Sequence, residues 1–282
     1  MGAITLRNVA GITSFDKQAD LTYNPTVSSS LSASPSHTFT SGAAVRLGLG
    51  LSYEWTNPDF QTTRHEVWFS DPSITVSYPI FGTSQVFRIG GSNTIVAPVS
   101  PTSRAASLIT KIDQSLRLSS QLNDWTLSYS TAGTKLFHEF TTGQLEDARI
   151  GACSGVTCLS LVHTGVRNAS WSNTHFVSAG YAVTDWFSVS ASGGVILAGV
   201  YPLTAAEGLP DDEGTQMRYL GSTRVGARLS MKPGCSLGTG VESFHSQLRP
   251  DGSLQTALFN RYAQVFLDLM VSESCFGTGS KG

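Results

Sequence analysis

The sequence is poor in charge and lacks a long hydrophobic run. Only 13% of the 282 residues are Asp, Glu, Lys or Arg, about half the share found in ordinary soluble domains. No segment approaches the roughly 18 consecutive apolar residues that a membrane-spanning helix needs. There is no basic run, and the net charge is −2, so we expect no nucleic-acid partner. These absences argue against both a helical membrane protein and a nucleic-acid-binding protein.

Cysteine is scarce, and the chain has no signal peptide. The first residues, MGAITLRNVAGITSF, lack a charged segment followed by an apolar core. The four cysteines fall into a close pair, Cys153 and Cys158, and a distant pair, Cys235 and Cys275. An even count favours disulfides and an oxidising compartment over a metal site, since no histidine follows at a regular interval. We therefore expect a chain whose leader has been removed, with no metal and no cofactor.

Alternation of apolar and polar residues runs through most of the chain. In VRLGLGLSYEW (45–55) every second residue is apolar, and the residues between are small, polar or charged. Such segments predict about twelve strands (range 10–14), many longer than the usual five or six residues. About ten tilted residues cross a bilayer. The predicted strands are 3–13, 25–39, 42–56, 65–79, 84–98, 107–121, 124–138, 173–186, 187–202, 217–232, 235–247 and 256–271.

Short and long connections alternate between these strands. Tight turns are predicted at 40–43, 79–85, 121–124, 183–186 and 231–235, and longer loops at 57–64, 99–106, 139–172, 203–216 and 248–255. This rhythm is typical of an up-and-down antiparallel transmembrane β-barrel. We expect one barrel over 1–276 and a flexible tail at 277–282. Whether residues 1–24 form a strand or a plug stays open.

Two further observations agree with this topology. Cys235 and Cys275 both fall at the periplasmic end, whereas Cys153 and Cys158 lie in the longest loop, at the opposite end. Many aromatic residues lie near predicted strand ends, where barrels carry interfacial girdles. These are Tyr53, Trp55, Trp68, Phe69, Tyr78, Phe81, Phe87, Trp125, Phe137, Tyr181, Trp186, Phe187 and Tyr201.

The stretches YNPTVSSSLSASPSHTF, LGLGLSYEWTN, APVSPTSRAAS and LSYSTAGTKLFHEF resemble the strand, turn and loop pattern of bacterial outer-membrane β-barrel proteins. The chain looks most like uncharacterised deltaproteobacterial (myxobacterial-type) barrels. The resemblance implies a place in the outer membrane of a Gram-negative bacterium and contact with its lipid bilayer, but no reaction. The C-terminus departs from the pattern, because Phe276 is followed by GTGSKG instead of ending the chain.

Alternation directs a set of charged side chains into the barrel interior. Two interpretations remain open: a narrow pore that mildly prefers anions, or a filled barrel whose charges pair across the interior. The lumen-lining candidates are Arg46, Glu54, Arg88, Arg117, Arg224, Arg228, Glu242 and Asp268.

Catalytic signatures are missing, so we expect no enzyme. Six histidines are present, but the sequence has no G-x-S-x-G motif. Long loops on rigid barrels commonly carry recognition. We therefore expect envelope protein partners to bind the 139–172 loop and the periplasmic turns. An acidic loop patch, Asp211, Asp212 and Glu213, suits a cation or a basic partner, or is simply solvated.

The sequence favours a non-enzymatic scaffold in a cell-envelope complex as the leading function. The resemblance extends this role to motility or surface machinery. One alternative is a small passive pore for mildly anionic solutes. A second alternative, of a different class, is a secreted soluble β-sandwich that binds a ligand or a cell surface.

Overall fold

A computed structural model describes residues 2–15, 26–56, 67–84, 86–146, 152–154, 157–159, 161–202, 216–246, 256–260 and 262–276. Its strands are β1 Gly2–Gly11, β2 Val27–Thr38, β3 Ala44–Glu54, β4 Val67–Phe69, β5 Ser73–Ser84, β6 Phe87–Val96, β7 Leu108–Leu122, β8 Trp125–His138, β9 Thr142–Glu146, β10 Ala152–Ser154, β11 Thr157–Leu159, β12 Leu161–Arg167, β13 Ala169–Ala182, β14 Phe187–Val200, β15 Met217–Lys232, β16 Cys235–Ser246 and β17 Ala263–Ser272. The helices are the 3-10 helix Ile12–Phe15, α1 Pro101–Ala105 and α2 Glu273–Phe276. None of these helices is long and apolar enough to cross a membrane.

One antiparallel sheet closes on itself. Strand β1 pairs with both β2 and β17, and β4 and β5 pair in turn with the same strand, β3. The sheet therefore has twelve positions around its circumference, which confirms the predicted up-and-down barrel. The soluble β-sandwich is wrong, because a sandwich stacks two separate sheets. The N-terminal residues from Gly2 to Gly11 form a barrel strand.

The two ends of the barrel differ in the length of their connections. Five short turns, the start of β1 and the end of α2 lie at one end, and the long connections lie at the other. Two-residue turns join β7 to β8 and β15 to β16, where Asn123 (φ 52°) and Gly234 (φ 81°) adopt the left-handed conformation. Asn and Gly tolerate that conformation best. The predicted alternation of short and long connections is thus present.

Two predicted boundaries are wrong at the long-loop end. The 139–172 segment is not a plain loop: β9 pairs with β12, β10 pairs with β11, and β13 already begins at Ala169. The last strand begins at Ala263, not at 256. Residues before it fold against the barrel wall, where Thr223 Oγ1 donates to the Ala257 carbonyl and Asn260 hydrogen-bonds Ser243. These hydrogen bonds hold residues 257–260 against the wall in place of the strand that the sequence predicts.

The two faces of the sheet carry different residues. On β3, Leu47, Leu49 and Leu51 are 37–44% exposed, whereas Glu54 on the other face is buried. Register carries this pattern around the barrel, so large exposed aliphatic side chains share one face on strand after strand. We assign this apolar face to the outside, facing lipid, and call the other the inner wall. Exposed aromatic side chains lie near both ends of the outer face, including Trp125, Trp186, Trp55 and Phe69.

One disulfide, between Cys235 and Cys275, lies at the short-turn end. It joins the start of β16 to α2, across a Cα–Cα distance of 5.3 Å. This confirms the predicted pairing of these two cysteines. Cys153 and Cys158 face each other in the register of the β10–β11 hairpin. Their disulfide stays a prediction, since their side chains lie outside the described residues.

Candidate functional site: the inner wall of the barrel

The inner wall carries a compact cluster of two arginines and two carboxylates. Arg7 on β1 pairs with Glu242 on β16 and lies 3.6 Å from Asp268 on β17. Arg224 on β15 donates to Asp268 at 2.8 Å and lies 3.7 Å from Glu242. Each arginine therefore contacts both carboxylates, and the cluster has no net charge. We call these four residues the charge cluster.

A single aromatic ring lies beneath the arginines. Phe266 is only 3% exposed, and the guanidinium carbons of Arg224 and Arg7 lie 3.9 Å and 5.3 Å from its centroid. The ring fits because its neighbours are Gly226 and Gly240, where an added Cβ would come within 3.0 Å and 2.8 Å of the ring. Cation–π contacts of this kind orient guanidinium groups. The cluster is thus held flat against the wall.

The remaining predicted arginines are arranged differently. All four lie on the inner face by register, and all lie within six residues of a short turn. In the described part of the chain none of them forms an ion pair. They belong to β3, β6, β7 and β15 and are Arg46, Arg88, Arg117 and Arg228. The structure therefore separates the predicted arginines into one paired residue, Arg224, and four unpaired ones.

Sequence reasoning missed four charged residues of the inner wall: Arg7, Lys111, Asp113 and Arg218, which donates to the Arg167 carbonyl at the long-loop end of β15. Arg7 completes the charge cluster, and Lys111 lies 3.3 Å from Asp113, which accepts a hydrogen bond from Thr134. Arg7 follows the Leu-Arg alternation that singled out Arg46, so applying the same rule to the first strand finds it. Glu54, a predicted member, is buried at the end of β3. The acidic patch Asp211, Asp212 and Glu213 lies outside the described residues.

Elsewhere the inner wall consists mostly of small hydroxyl residues. Hydroxyl pairs bridge adjacent strands: Ser92 with Ser115 at 2.7 Å and Ser128 with Ser178 at 2.6 Å. These bonds keep short side chains flat on the wall. On β14 three consecutive residues, 189–191, are all exposed, so at that level both faces of the wall are accessible. An eight-stranded barrel is filled by its side chains, whereas small residues on twelve strands leave more space.

An aspartate fixes the rim of the barrel at the long-loop end. Asp71, between β4 and β5, accepts hydrogen bonds from the backbone N–H groups of Val99 and Ser100 at 2.7 and 2.6 Å and from the Ser103 hydroxyl. Burial favours the neutral acid, but hydrogen bonds from Ser103, Ser100 and Val99 outweigh it and lower the pKa of Asp71 below 3.8. The carboxylate thereby holds the segment that leads into α1.

Three of the six histidines form hydrogen bonds with backbone carbonyls or a tyrosine hydroxyl. His138 Nδ1 hydrogen-bonds the Ala106 carbonyl and His245 Nδ1 the Ser246 carbonyl, while His175 bonds the Tyr129 hydroxyl. No group of three or more metal-ligating side chains occurs within the described ranges.

Comparison with solved structures finds bacterial outer-membrane barrels. An outer-membrane channel from Pseudomonas putida F1 superposes with a TM-score of 0.61 at 11% identity, over 96% of this chain and 94% of that chain. The NanC porin gives 0.50 at 8% identity, over 95% of this chain and 98% of that chain. The chain has the fold of an outer-membrane β-barrel. It matches no protein-family model, and no curated protein matches its sequence. The similarity to deltaproteobacterial barrels stays a prediction.

Proposed function

We propose that the protein is a passive pore in the outer membrane of a Gram-negative bacterium, with a preference for small anions. The observation that carries this proposal is the division of the inner wall into paired and unpaired charges. The charge cluster and the Lys111–Asp113 pair are neutral, whereas Arg46, Arg88, Arg117 and Arg228 carry charge without a nearby carboxylate in the described residues. Rings of like charge set the selectivity of pores.

The position of the four unpaired arginines strengthens the argument. They lie on four different strands, in the half of the barrel nearest the short turns. An anion that passes through this half meets positive charge from more than one side of the wall. The small serine and glycine residues between them leave room for water in the lumen. The low dielectric of the wall concentrates the electric field of the arginines there. The resulting selectivity is electrostatic and depends on the salt concentration.

The pore accounts for the inner wall better than the scaffold that the sequence favours. A scaffold is best served by a filled barrel, whose interior charges are paired. Here four arginines remain unpaired in the described residues, and part of the wall is accessible from both faces. The fold neighbours, a channel and a porin by name, agree with a non-enzymatic pore. Envelope partners at the 139–172 loop remain an expectation of the sequence.

The test is the reversal potential across a planar bilayer with a salt gradient. The Arg228→Glu variant changes the summed charge at the four arginine positions near the short turns from four positive charges to two, so anion preference should fall. Arg88→Glu combined with Arg228→Glu brings that charge to zero and should abolish the preference. Arg104→Glu, in α1 outside the barrel wall, is the matched control and should leave the reversal potential unchanged. A folded barrel that does not conduct, or a reversal potential unmoved by the double variant, would overturn the proposal.

A further inference from the structure

Three carboxamide residues and one glycine form a row across the outer face on four adjacent strands. Register places Asn93 on β6 opposite Gln114 on β7, Gln114 opposite Gly133 on β8, and Gly133 opposite Asn173 on β13. All four positions alternate with inner-wall residues and so lie on the apolar face of the sheet. We call this set the carboxamide row. It interrupts an outer face that is mainly aliphatic on the neighbouring strands β5 and β14. On the opposite wall Asn8 also points outward, but its side-chain oxygen accepts a hydrogen bond of 2.6 Å from Ser29.

The row lies in the membrane-facing band, between the aromatic levels. On β8 the outward residues run from Trp125 at the short-turn end to Phe137 at the long-loop end, and Gly133 lies between them. One step deeper, the Tyr129 hydroxyl bonds His175 Nδ1 at 2.8 Å. The polar surface therefore extends from near the aromatic residues at the long-loop end towards the middle of the membrane-facing part of the wall.

Carboxamides facing lipid need partners. A lipid chain offers neither donor nor acceptor, and an unsatisfied amide in hydrocarbon is costly. Asn173 accepts a hydrogen bond of 3.5 Å from Thr131. Asn93 and Gln114 are exposed and have no hydrogen-bond partner in the described residues. The polar outer positions on β15 and β16 differ, because Ala257 and Asn260 of the chain itself cover them.

The wall is indented at the centre of the row. A Cβ added to Gly133 would meet no atom within 4 Å. An open cleft of about 400 Å³ lies there, lined among others by Gln114, Lys135, Trp171 and Asn173. Glycine lets another backbone or side chain approach closely, and small residues with polar neighbours mark contact faces inside membranes.

We propose that the carboxamide row is the contact face of a homodimer in the membrane. A carboxamide carries both a donor and an acceptor, so the same row on a second copy is its own complement about a two-fold axis. Gln114, beside the cleft, pairs reciprocally with Gln114 of the second copy. A lipid headgroup fits less well. Its phosphate would bind the Lys135 amine, which lies 5.9 Å from the ring centroids of Phe137 and Tyr201 at the long-loop end. The carboxamides nearer the middle of the membrane would then remain without hydrogen-bond partners.

Cysteine cross-linking of the vesicle-embedded protein tests the proposal. Gln114→Cys should give a disulfide-linked dimer on a non-reducing gel under mild oxidation. The matched control is Leu267→Cys on β17, an equally outward, 45% exposed position on the opposite wall, which should stay monomeric. The unsubstituted chain, treated identically, gives the background from the native cysteines. Cross-linking of both variants to the same extent, or of neither, would overturn the proposal.

A second variant removes the hydrogen bonds without a new thiol. Gln114→Leu combined with Asn173→Leu replaces both carboxamides by aliphatic groups and should fold readily, since it makes this wall like its neighbours. Its dimer dissociation constant in vesicles, measured by energy transfer between labelled copies, should rise about tenfold. An unchanged constant, or a monomeric parent protein that carries only bound lipid, would refute the homodimer.

Discussion

Replacing Asp268 with asparagine should destabilise the barrel and unbalance its wall at the same time. Asp268 is the carboxylate shared by Arg224, at 2.8 Å, and Arg7, at 3.6 Å. Asparagine has the same shape but no charge, so the two arginines are left with Glu242 alone. The charge cluster changes from neutral to one positive charge. We therefore expect lower stability together with a stronger anion preference.

The size of the effect follows from the exposure of the partners. The side chains of Asp268 and Arg224 are 20% and 39% exposed, so the pair is neither a surface pair nor a buried one. Surface pairs contribute about 0.2–1 kcal/mol, and breaking a fully buried pair costs about 3–5 kcal/mol. Because water reaches Arg224, we place the loss for Asp268→Asn near the surface end of this range, at about 1–2 kcal/mol. The coupling between Asp268 and Arg224 alone should be about 1 kcal/mol.

A double-mutant cycle measures that coupling. The parent, Asp268→Asn, Arg224→Gln and the double variant are unfolded by urea in lipid vesicles, with tryptophan fluorescence as the probe. The coupling should shrink when salt is raised, because the interaction is partly screened. A coupling below about 0.3 kcal/mol, within the error of additivity, would refute the view that this pair stabilises the wall. A stability loss without any gain in anion preference would refute its electrostatic role in the lumen.

Two other predictions concern packing and the rim. Gly240→Ala should lower the free energy of unfolding by about 1–3 kcal/mol, because the new Cβ would lie 2.6 Å from the Gly226 Cα and 2.8 Å from the Phe266 ring. Gly180→Ala, where the nearest atom to the new Cβ lies 3.8 Å away, is the control, and equal losses would contradict the packing argument. Asp71→Asn should speed hydrogen exchange at the Val99 and Ser100 amides. Since folding lowers the pKa of Asp71, its stabilisation is present above the unfolded value of 3.8 and is lost as the pH falls through the lower folded pKa. Relative to the unstructured rate at the same pH, exchange at these amides in the parent should therefore accelerate as the pH falls below the unfolded value of 3.8, whereas this ratio should stay constant in the variant. A parent that keeps its protection at low pH would contradict the role of Asp71 as the acceptor for these amides.

The fold follows from the sequence because a barrel repeats one simple constraint. Every strand must present lipid on one face and the lumen on the other, so alternation recurs on each strand and fixes most limits to within a few residues. β15, predicted and observed at 217–232, is the clearest case. The predicted strand 65–79 is wrong: the structure has β4 Val67–Phe69 and β5 Ser73–Ser84, so β5 continues through most of the turn predicted at 79–85. The prediction also fails where side chains from elsewhere decide. The sequence predicts that the last strand begins at 256, but Asn260 hydrogen-bonds Ser243 and β17 begins only at Ala263.

The site was only partly predictable, because alternation gives the face of a residue but not its neighbours. It assigned Arg224 and Arg228 alike to the inner wall. Only the register shows that Arg224 lies opposite Glu242, whereas Arg228 lies opposite Ser188 and Gly238. Four residues along one strand thus separate a paired arginine from an unpaired one. The carboxamide row has the same origin, since no single strand reveals that Asn93, Gln114 and Asn173 are neighbours.

The charge cluster and the carboxamide row lie on different strands, and this makes variants at the two sites independent. The charge cluster occupies β15, β16, β17 and β1, and the carboxamide row occupies β6, β7, β8 and β13. One strand on one side, and three barrel positions on the other, separate the row from β15 and β1 at the limits of the cluster. β14 alone separates β13 from β15, so this boundary is the closest approach. Because sites without shared partners contribute additively, Asp268→Asn should change ion selectivity and leave the dimer intact. Gln114→Leu with Asn173→Leu should weaken the dimer and leave selectivity unchanged. A variant on one wall that altered the property of the other would show that dimer contact reshapes the lumen.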